Sequence, residues 1–208
     1  DHSAGYSSAI VATVNGVRQY INFTNKAVIG VDANSGRPLW SDNSSSNNTA
    51  NCSSPLFYQN HVFSASGYNK GGAMLFLQSR NGRTISRFVY ETDKMKNHHG
   101  GMVIVDGYIY GSSDPGILTC LELRSGRVAW QTRDVSKGSV TYADGHLYVR
   151  AESGPMYLVE TTPQGHEVKG RFNQPQRSGK KAWSHPVVAE GKLFLRDQDM
   201  LFCYDIKN

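Results

Sequence analysis

The side chains best placed by type to do chemistry begin with two adjacent histidines, His98 and His99, in "KNHHGG" (96–101). His185 in "AWSHP" (182–186) adds a third imidazole. Imidazoles hold a metal only if they converge on one ion. Neighbouring residues of an extended segment point to opposite faces, so His98 and His99 are not expected to share an ion. Asp197 and Asp199 in "RDQD" (196–199) stand two apart and would share a face if extended, the arrangement a hard cation or a general base needs. Trp183 offers a ring on which a planar ligand could stack, and Lys137 offers a cation. No G-x-S-x-G, Walker A loop or H-E-x-x-H occurs, so no catalytic residue is assigned and no metal is expected.

The three cysteines, Cys52, Cys120 and Cys203, lie far apart with no C-x-x-C pair, which signals neither a zinc knuckle nor a dithiol. Cys120 and Cys203 sit in the alternating apolar runs "ILTCLEL" and "LFCYDI" and are expected in the core. Glycosylation sequons begin at Asn22, Asn43, Asn47 and Asn51. Three of them crowd into "SDNSSSNNTANCSS" (41–54), expected to be a polar loop in which such matches arise by chance.

These residues need elements to position them, and composition indicates which kind. The chain has 208 residues, 38% hydrophobic and 11% aromatic, with 21 glycines and 11 tyrosines, and no run of strong helix formers. That is a globular composition leaning to all-β. The net charge of +5 is dispersed, with its densest cluster in "RSGKK" (177–181). Nucleic-acid binding would need a basic face, so no nucleic-acid partner is expected. No apolar run approaches the roughly 18 residues of a membrane span. The polar opening "DHS" contains no signal peptide, as in a processed secreted chain or a piece of a longer one.

Alignment of the chain with itself reveals a repeat. A hairpin motif recurs as "VDGYIYG" (105–111), "ADGHLYV" (143–149) and "AEGKLFL" (189–195), with looser copies at 58–64 and 13–21. The turn residues Gly16, Asn60, Gly107, Gly145 and Gly191 are 44, 47, 38 and 46 apart. A second turn-bearing segment follows each, clearest in "AVIGVDANSGRPLW" (27–40) and "ILTCLELRSGRVAW" (117–130). Gly and Asn supply the positive φ of tight hairpins, and the flanks alternate with a period of two. Four antiparallel strands repeated at this spacing predict β-propeller blades. The units fall at about 6–41, 50–91, 97–134, 137–174 and 183–208, within one propeller region over 1–208.

The phrases "VIGVDANSGRPLW" and "LTCLELRSGRVAW" resemble the pyrroloquinoline-quinone (PQQ)-type repeat. That tryptophan-docking unit is shared by quinoprotein dehydrogenases and by the barrel-assembly lipoprotein of Gram-negative outer membranes. The resemblance implies that the turn glycine approaches a tryptophan packed on the next blade: Gly36 with Trp40, and Gly126 with Trp130. Phe88 and Phe172 would take the tryptophan's place in units two and four. Family propellers have seven or eight blades, whereas about four and a half are present here. The expectation is therefore a partial or half propeller, completed by a protein partner or a second copy. Residues opening the first strands would line the channel, so His98, His99, Lys137, Trp183 and His185 are expected at its mouth.

The leading functional reading is a non-catalytic scaffold outside the cytoplasm, periplasmic, secreted or in the cell envelope. It would bind a protein or a ligand at the channel mouth and need no cofactor. The alternative is a divergent quinoprotein oxidoreductase acting on alcohols or sugars with PQQ and Ca²⁺. Asp197 would then be the base and Trp183 the stacking ring. The vicinal disulfide of many such enzymes is ruled out, because no two cysteines are adjacent.

Overall fold

The computed structural model describes residues 2–207; Asp1 and Asn208, the two ends of the expected region, lie outside the described residues. Every described element is a strand. Blade one contains β1 (Ile10–Val14), β2 (Val17–Phe23), β3 (Val28–Asp32) and β4 (Pro38–Asp42). Blade two contains β5 (Leu56–Tyr58), β6 (His61–Ser66), β7 (Gly71–Arg80) and β8 (Arg83–Thr92). Blade three contains β9 (Met102–Val105), β10 (Tyr108–Ser113), β11 (Ile117–Glu122) and β12 (Val128–Thr132). Blade four contains β13 (Gly138–Ala143), β14 (His146–Ala151), β15 (Met156–Thr162) and β16 (Gly165–Phe172). Blade five has three strands, β17 (Val187–Ala189), β18 (Lys192–Asp197) and β19 (Met200–Asp205). Each sheet is an antiparallel meander in sequence order.

The first hairpin of every blade turns on two residues with positive φ: Asn15-Gly16, Gln59-Asn60, Asp106-Gly107, Asp144-Gly145 and Glu190-Gly191. This matches a type I′ turn, whose twist suits the flanking strands. It explains why the repeat is most legible at that point.

The β3–β4, β7–β8, β11–β12 and β15–β16 pairs each carry a bulge, which shifts the register. Next to the bulge, Trp40 stands opposite Gly30, Tyr90 opposite Met74, Trp130 opposite Cys120, and Gly170 opposite Leu158. Blade two therefore presents Tyr90, not Phe88, at the tryptophan's position. Phe88 is 55% exposed, while the Tyr90 hydroxyl donates to the Leu123 carbonyl at 2.8 Å. The mismatch arises because β7 and β8 are ten residues each, so counting from the turn misplaces the aromatic by two. In blade four the position falls to Gly170, and Phe172 instead packs edge-on against Tyr204 of blade five, ring centroids 5.0 Å apart.

Trp40 lies in a core with Val62, Leu75 and Leu77 of blade two, and its indole N–H donates to Gln19 at 2.6 Å. Trp130 donates to the Thr162 carbonyl of blade four at 2.7 Å and packs on Tyr110 and His166. The expected approach of Gly36 to Trp40 is corrected. A Cβ on Gly36 would meet nothing within 4 Å, and its φ of +71° is what demands glycine. The residue pressed against Trp40 is Gly30, where a Cβ would sit 2.1 Å from the indole nitrogen. Gly126 is approached by the ring of Tyr90, at 2.5 Å from a Cβ placed there.

The strands form two compact units. One comprises the residues up to His98 with Leu123–Arg127, and the other comprises His99–Glu122 with the residues from Val128 onward. In the first, blades one and two share an apolar core around Ile21, Phe23, Trp40 and Leu75. In the second, blades three and four close over Tyr110, Cys120, Leu147 and Val149, and blades four and five over Met156, Leu193 and Leu195.

One further expectation is corrected. Cys120 is fully buried opposite Trp130, but Cys203 is exposed, because it stands on the face of β19 opposite to Phe202 and Tyr204, which pack toward blade four. The polar stretch 41–54 is an ordered connection. The Asn51 amide, 1% exposed, donates to Thr24, Asn25 and Ser46, and Ser45 and Ser66 pin the stretch to β6. Burial of that amide nitrogen bars the Asn51 sequon from glycosylation in the folded state.

Candidate functional site

In a four-stranded meander the second turn and the inter-blade connection lie on the same side of the blade. On that side of blades three to five, four side chains from three segments, His99, Lys137 and the pair Lys181 and Trp183, converge on Glu152, the first residue after β14. Lys181 Nζ is 2.6 Å from Glu152 Oε1, and the Trp183 indole N–H donates to the same oxygen at 3.1 Å. Lys137 Nζ lies 3.9 Å from Oε2 and 2.6 Å from Asp114 Oδ1. His99 Nε2 lies 3.8 Å from Oε2, and the His99 ring is 5.4 Å from that of Trp183.

Backbone bonds fix these segments. The Glu152 amide donates to the Lys137 carbonyl at 2.7 Å, and the Glu152 carbonyl accepts from Ala182 at 2.9 Å. Small residues permit the close approach. A Cβ on Gly100 would sit 2.0 Å from the Gly138 carbonyl oxygen, and one on Gly101 would sit 2.3 Å from the His185 ring.

The site is ionic and closed on itself. Burial alone would raise the Glu152 carboxyl, but hydrogen bonds from Lys181 and Trp183, with the charges of Lys137 and His99, outweigh it and bring the pKa to about 2. Glu152 is thus a fixed anion at neutral pH. His185 is held below its ordinary pKa by burial, while its ring meets the His99 carbonyl at 3.3 Å.

Two shallow depressions flank Lys181. One, of about 290 Å³, is lined by Pro115, Ser136, Lys137, Glu152, Ser153 and Lys181. The other, of about 230 Å³, lies along Trp183, Ser184, Arg196, Asp197 and Gln198. Trp183 is 55% exposed and presents a ring face beside them.

The structure thus brings together His99, Lys137, Trp183 and His185, and separates off two of the expected residues. His98 turns to blade two, where its ring meets Tyr68 edge-on at 4.8 Å and its Nε2 lies 3.1 Å from the Tyr68 hydroxyl. Neither His98 nor His99 is in a strand, since β9 starts at Met102, so their divergence comes from a bend rather than from strand alternation. Asp197 borders the second depression, but its carboxylate is buried and bound to Ser178 at 2.6 Å, with Arg177 at 3.4 Å. It is not placed as a solvent-facing base.

Sequence reasoning missed Glu152, Asp114 and Lys181. The two acids occupy equivalent places, each directly after the second strand of its blade, in "SSDPG" and "AESGP". Aligning the repeats on the second turn rather than the first would have paired them. Among the described residues, no three His, Cys, Asp or Glu side chains stand close enough to hold a metal ion.

The comparisons with known proteins agree with this architecture. The structure of BamB from Moraxella catarrhalis superposes on 96% of this chain with a TM-score of 0.69 at 13% identity. The Swd1 β-propeller domain of Myceliophteria thermophila covers 97% with a TM-score of 0.65 at 8% identity. The quinohemoprotein alcohol dehydrogenase from Comamonas testosteroni covers 89% with a TM-score of 0.60 at 12% identity. The chain spans 58%, 69% and 43% of those three chains, respectively. Among curated proteins, none matches the chain in sequence. Likenesses this distant show the fold, a β-propeller; family membership comes from the sequence itself. The family described as outer membrane protein assembly factor BamB matches residues 1–132, blades one to three and more than half of the chain, and the chain therefore belongs to that family.

Proposed function

We propose that this chain is a non-catalytic protein-interaction module that serves outer-membrane protein assembly from the extracytoplasmic side. The observation that carries this reading is the closed ion-pair network around Glu152. Its carboxylates, Asp114 and Glu152, are each engaged by a lysine, and the one central to the site ionises at about 2. A general base for alcohol oxidation works best with a pKa near the operating pH, and Glu152 is far from it. Lys181, 68% exposed at its side chain, and the half-exposed Trp183 instead offer a cation and an aromatic face. Of the two, the exposed tryptophan is the type enriched at protein interfaces, and the lysine beside it would select an acidic partner.

The donor set does not fit a quinone held with Ca²⁺. Such a cation calls for several oxygen ligands, and here the acids of the site face ammonium groups instead. The alternative reading, oxidation of an alcohol or sugar, gains only the shared fold from the dehydrogenase likeness. No cofactor is therefore part of the proposal.

The test is insertion of an outer-membrane β-barrel into liposomes by reconstituted assembly machinery, with and without this chain. Acceleration is expected. It should fall several-fold in Lys181→Ala/Trp183→Ala with unchanged circular dichroism. No acceleration, together with quinone- and Ca²⁺-dependent dye reduction by an alcohol, would replace this reading with the oxidoreductase one.

A further inference from the structure

Between blades four and five, away from Glu152, lies a second group of charges. Arg150 projects from near the end of β14 and is 1% exposed, and Asp197 at the end of β18 is equally buried. Arg150 Nη2 donates to Gln174 Oε1 at 2.6 Å. Arg177 uses Nε toward Asp197 at 3.4 Å and Nη2 toward the Lys180 carbonyl at 2.7 Å. Gly154, with φ of +118°, makes room for that guanidinium, because a Cβ there would sit 2.5 Å from its central carbon. Asp197 also takes the amide and hydroxyl of Ser178 at 3.1 and 2.6 Å.

The charges do not balance. Two guanidinium groups share one carboxylate, leaving one positive charge in excess. Three buried polar atoms, Arg150 Nε, Arg177 Nη1 and the Tyr204 hydroxyl, have no protein partner. Arg150 lies in the field of both Arg177 and Tyr204. A buried cation without a counter-charge is costly, and two of the three unpartnered groups can only donate.

We infer that this inter-blade site binds a small monovalent anion, of chloride size, through Arg150 Nε–H, Arg177 Nη1–H and the Tyr204 hydroxyl. An anion supplies acceptors and the missing negative charge together. A water molecule would bring two protons of its own to a place already rich in donors. Burial holds Arg150 below its ordinary pKa, Arg177 adds to this, and Asp197 only partly offsets it, as expected of a cation short of a counter-ion. The occupant would tie Arg150 and Arg177 of blade four and its following connection to Tyr204 of blade five.

The experiment is a chloride titration of the full chain at fixed ionic strength, with gluconate as the replacing anion, read as the midpoint of thermal unfolding. A saturable rise is expected in the wild type and bromide should reproduce it. Tyr204→Phe keeps the ring against Phe172 but loses the O–H, and should need at least tenfold more chloride for half of the rise. Arg150→Met should abolish the saturable component. Bromide-soaked crystals should show an anomalous peak between Arg150 and Arg177. An identical, unsaturable response in wild type and Tyr204→Phe overturns the inference. So does a bromide peak without saturable stabilisation, which would mark an adventitious ion only.

Discussion

Glu152→Gln is the perturbation that the structure resolves most sharply. The wild-type carboxyl ionises at about 2 when folded, against an ordinary value of 4.5. Ionisation of Glu152 therefore favours the folded state at neutral pH by at most about 3 kcal/mol. The Lys181 side chain is 68% exposed, so solvent screens its share, and about 2 kcal/mol is the working figure. The folded pKa is depressed, so this stability is complete above the unfolded pKa near 4.5 and is lost as pH falls toward about 2. Glutamine keeps the shape and can still accept from Trp183, but removes the charge. Urea unfolding of both proteins should show Glu152→Gln weaker by about 2 kcal/mol at pH 7, with the gap closing steadily below pH 4.5. A gap under about 0.5 kcal/mol at pH 7, or one that stays constant down to pH 3, refutes the reasoning.

Three other outcomes follow from the blades. Gly30→Ala should cost about 3 kcal/mol in urea unfolding, because its Cβ would enter the Trp40 indole, whereas Gly36→Ala should cost only about 1 kcal/mol for its positive φ. Trp130→Phe should lose about 1–2 kcal/mol in the same assay, since the Thr162 carbonyl forfeits its indole donor. Cys203 should react with a thiol reagent in the native protein at the rate of an exposed thiol. Cys120, buried and with its pKa pushed up to about 11, should react only on unfolding.

The first hairpins were legible because each needs positive φ at two successive positions, which leaves Asn, Asp or Gly in the sequence. The strands between them were legible through their alternation. The bulges were not, since the extra residues Leu39, Val89, Ala129 and Lys169 carry no chemical mark. Counting from the turn consequently points to Phe88 where the structure has Tyr90. For Cys203, alternation shows which residues share a face, while coverage of that face depends on packing against another blade. At the candidate site, His99, Lys137, Trp183 and His185 could be grouped because they precede aligned first strands. Glu152 stayed hidden because it belongs to a different turn. Arg150 was hidden for a plainer reason: in "HLYVRA" it looks like one more solvent-facing polar residue of an edge.

The bulge also separates two tasks within the outer hairpin. Beyond it, the third and fourth strands run for one residue pair in blades one and three, four in blade four and six in blade two. Yet Trp40, Tyr90 and Trp130 occupy the same place relative to it. The docking side chain is thus addressed from the bulge and not from the tip, which frees the tip to vary. Evolution, or a protein engineer, can lengthen or shorten a blade's outer hairpin in steps of whole residue pairs and keep its contact with the next blade. Blade two, with the longest such extension, is the natural place to graft a new recognition loop onto the propeller.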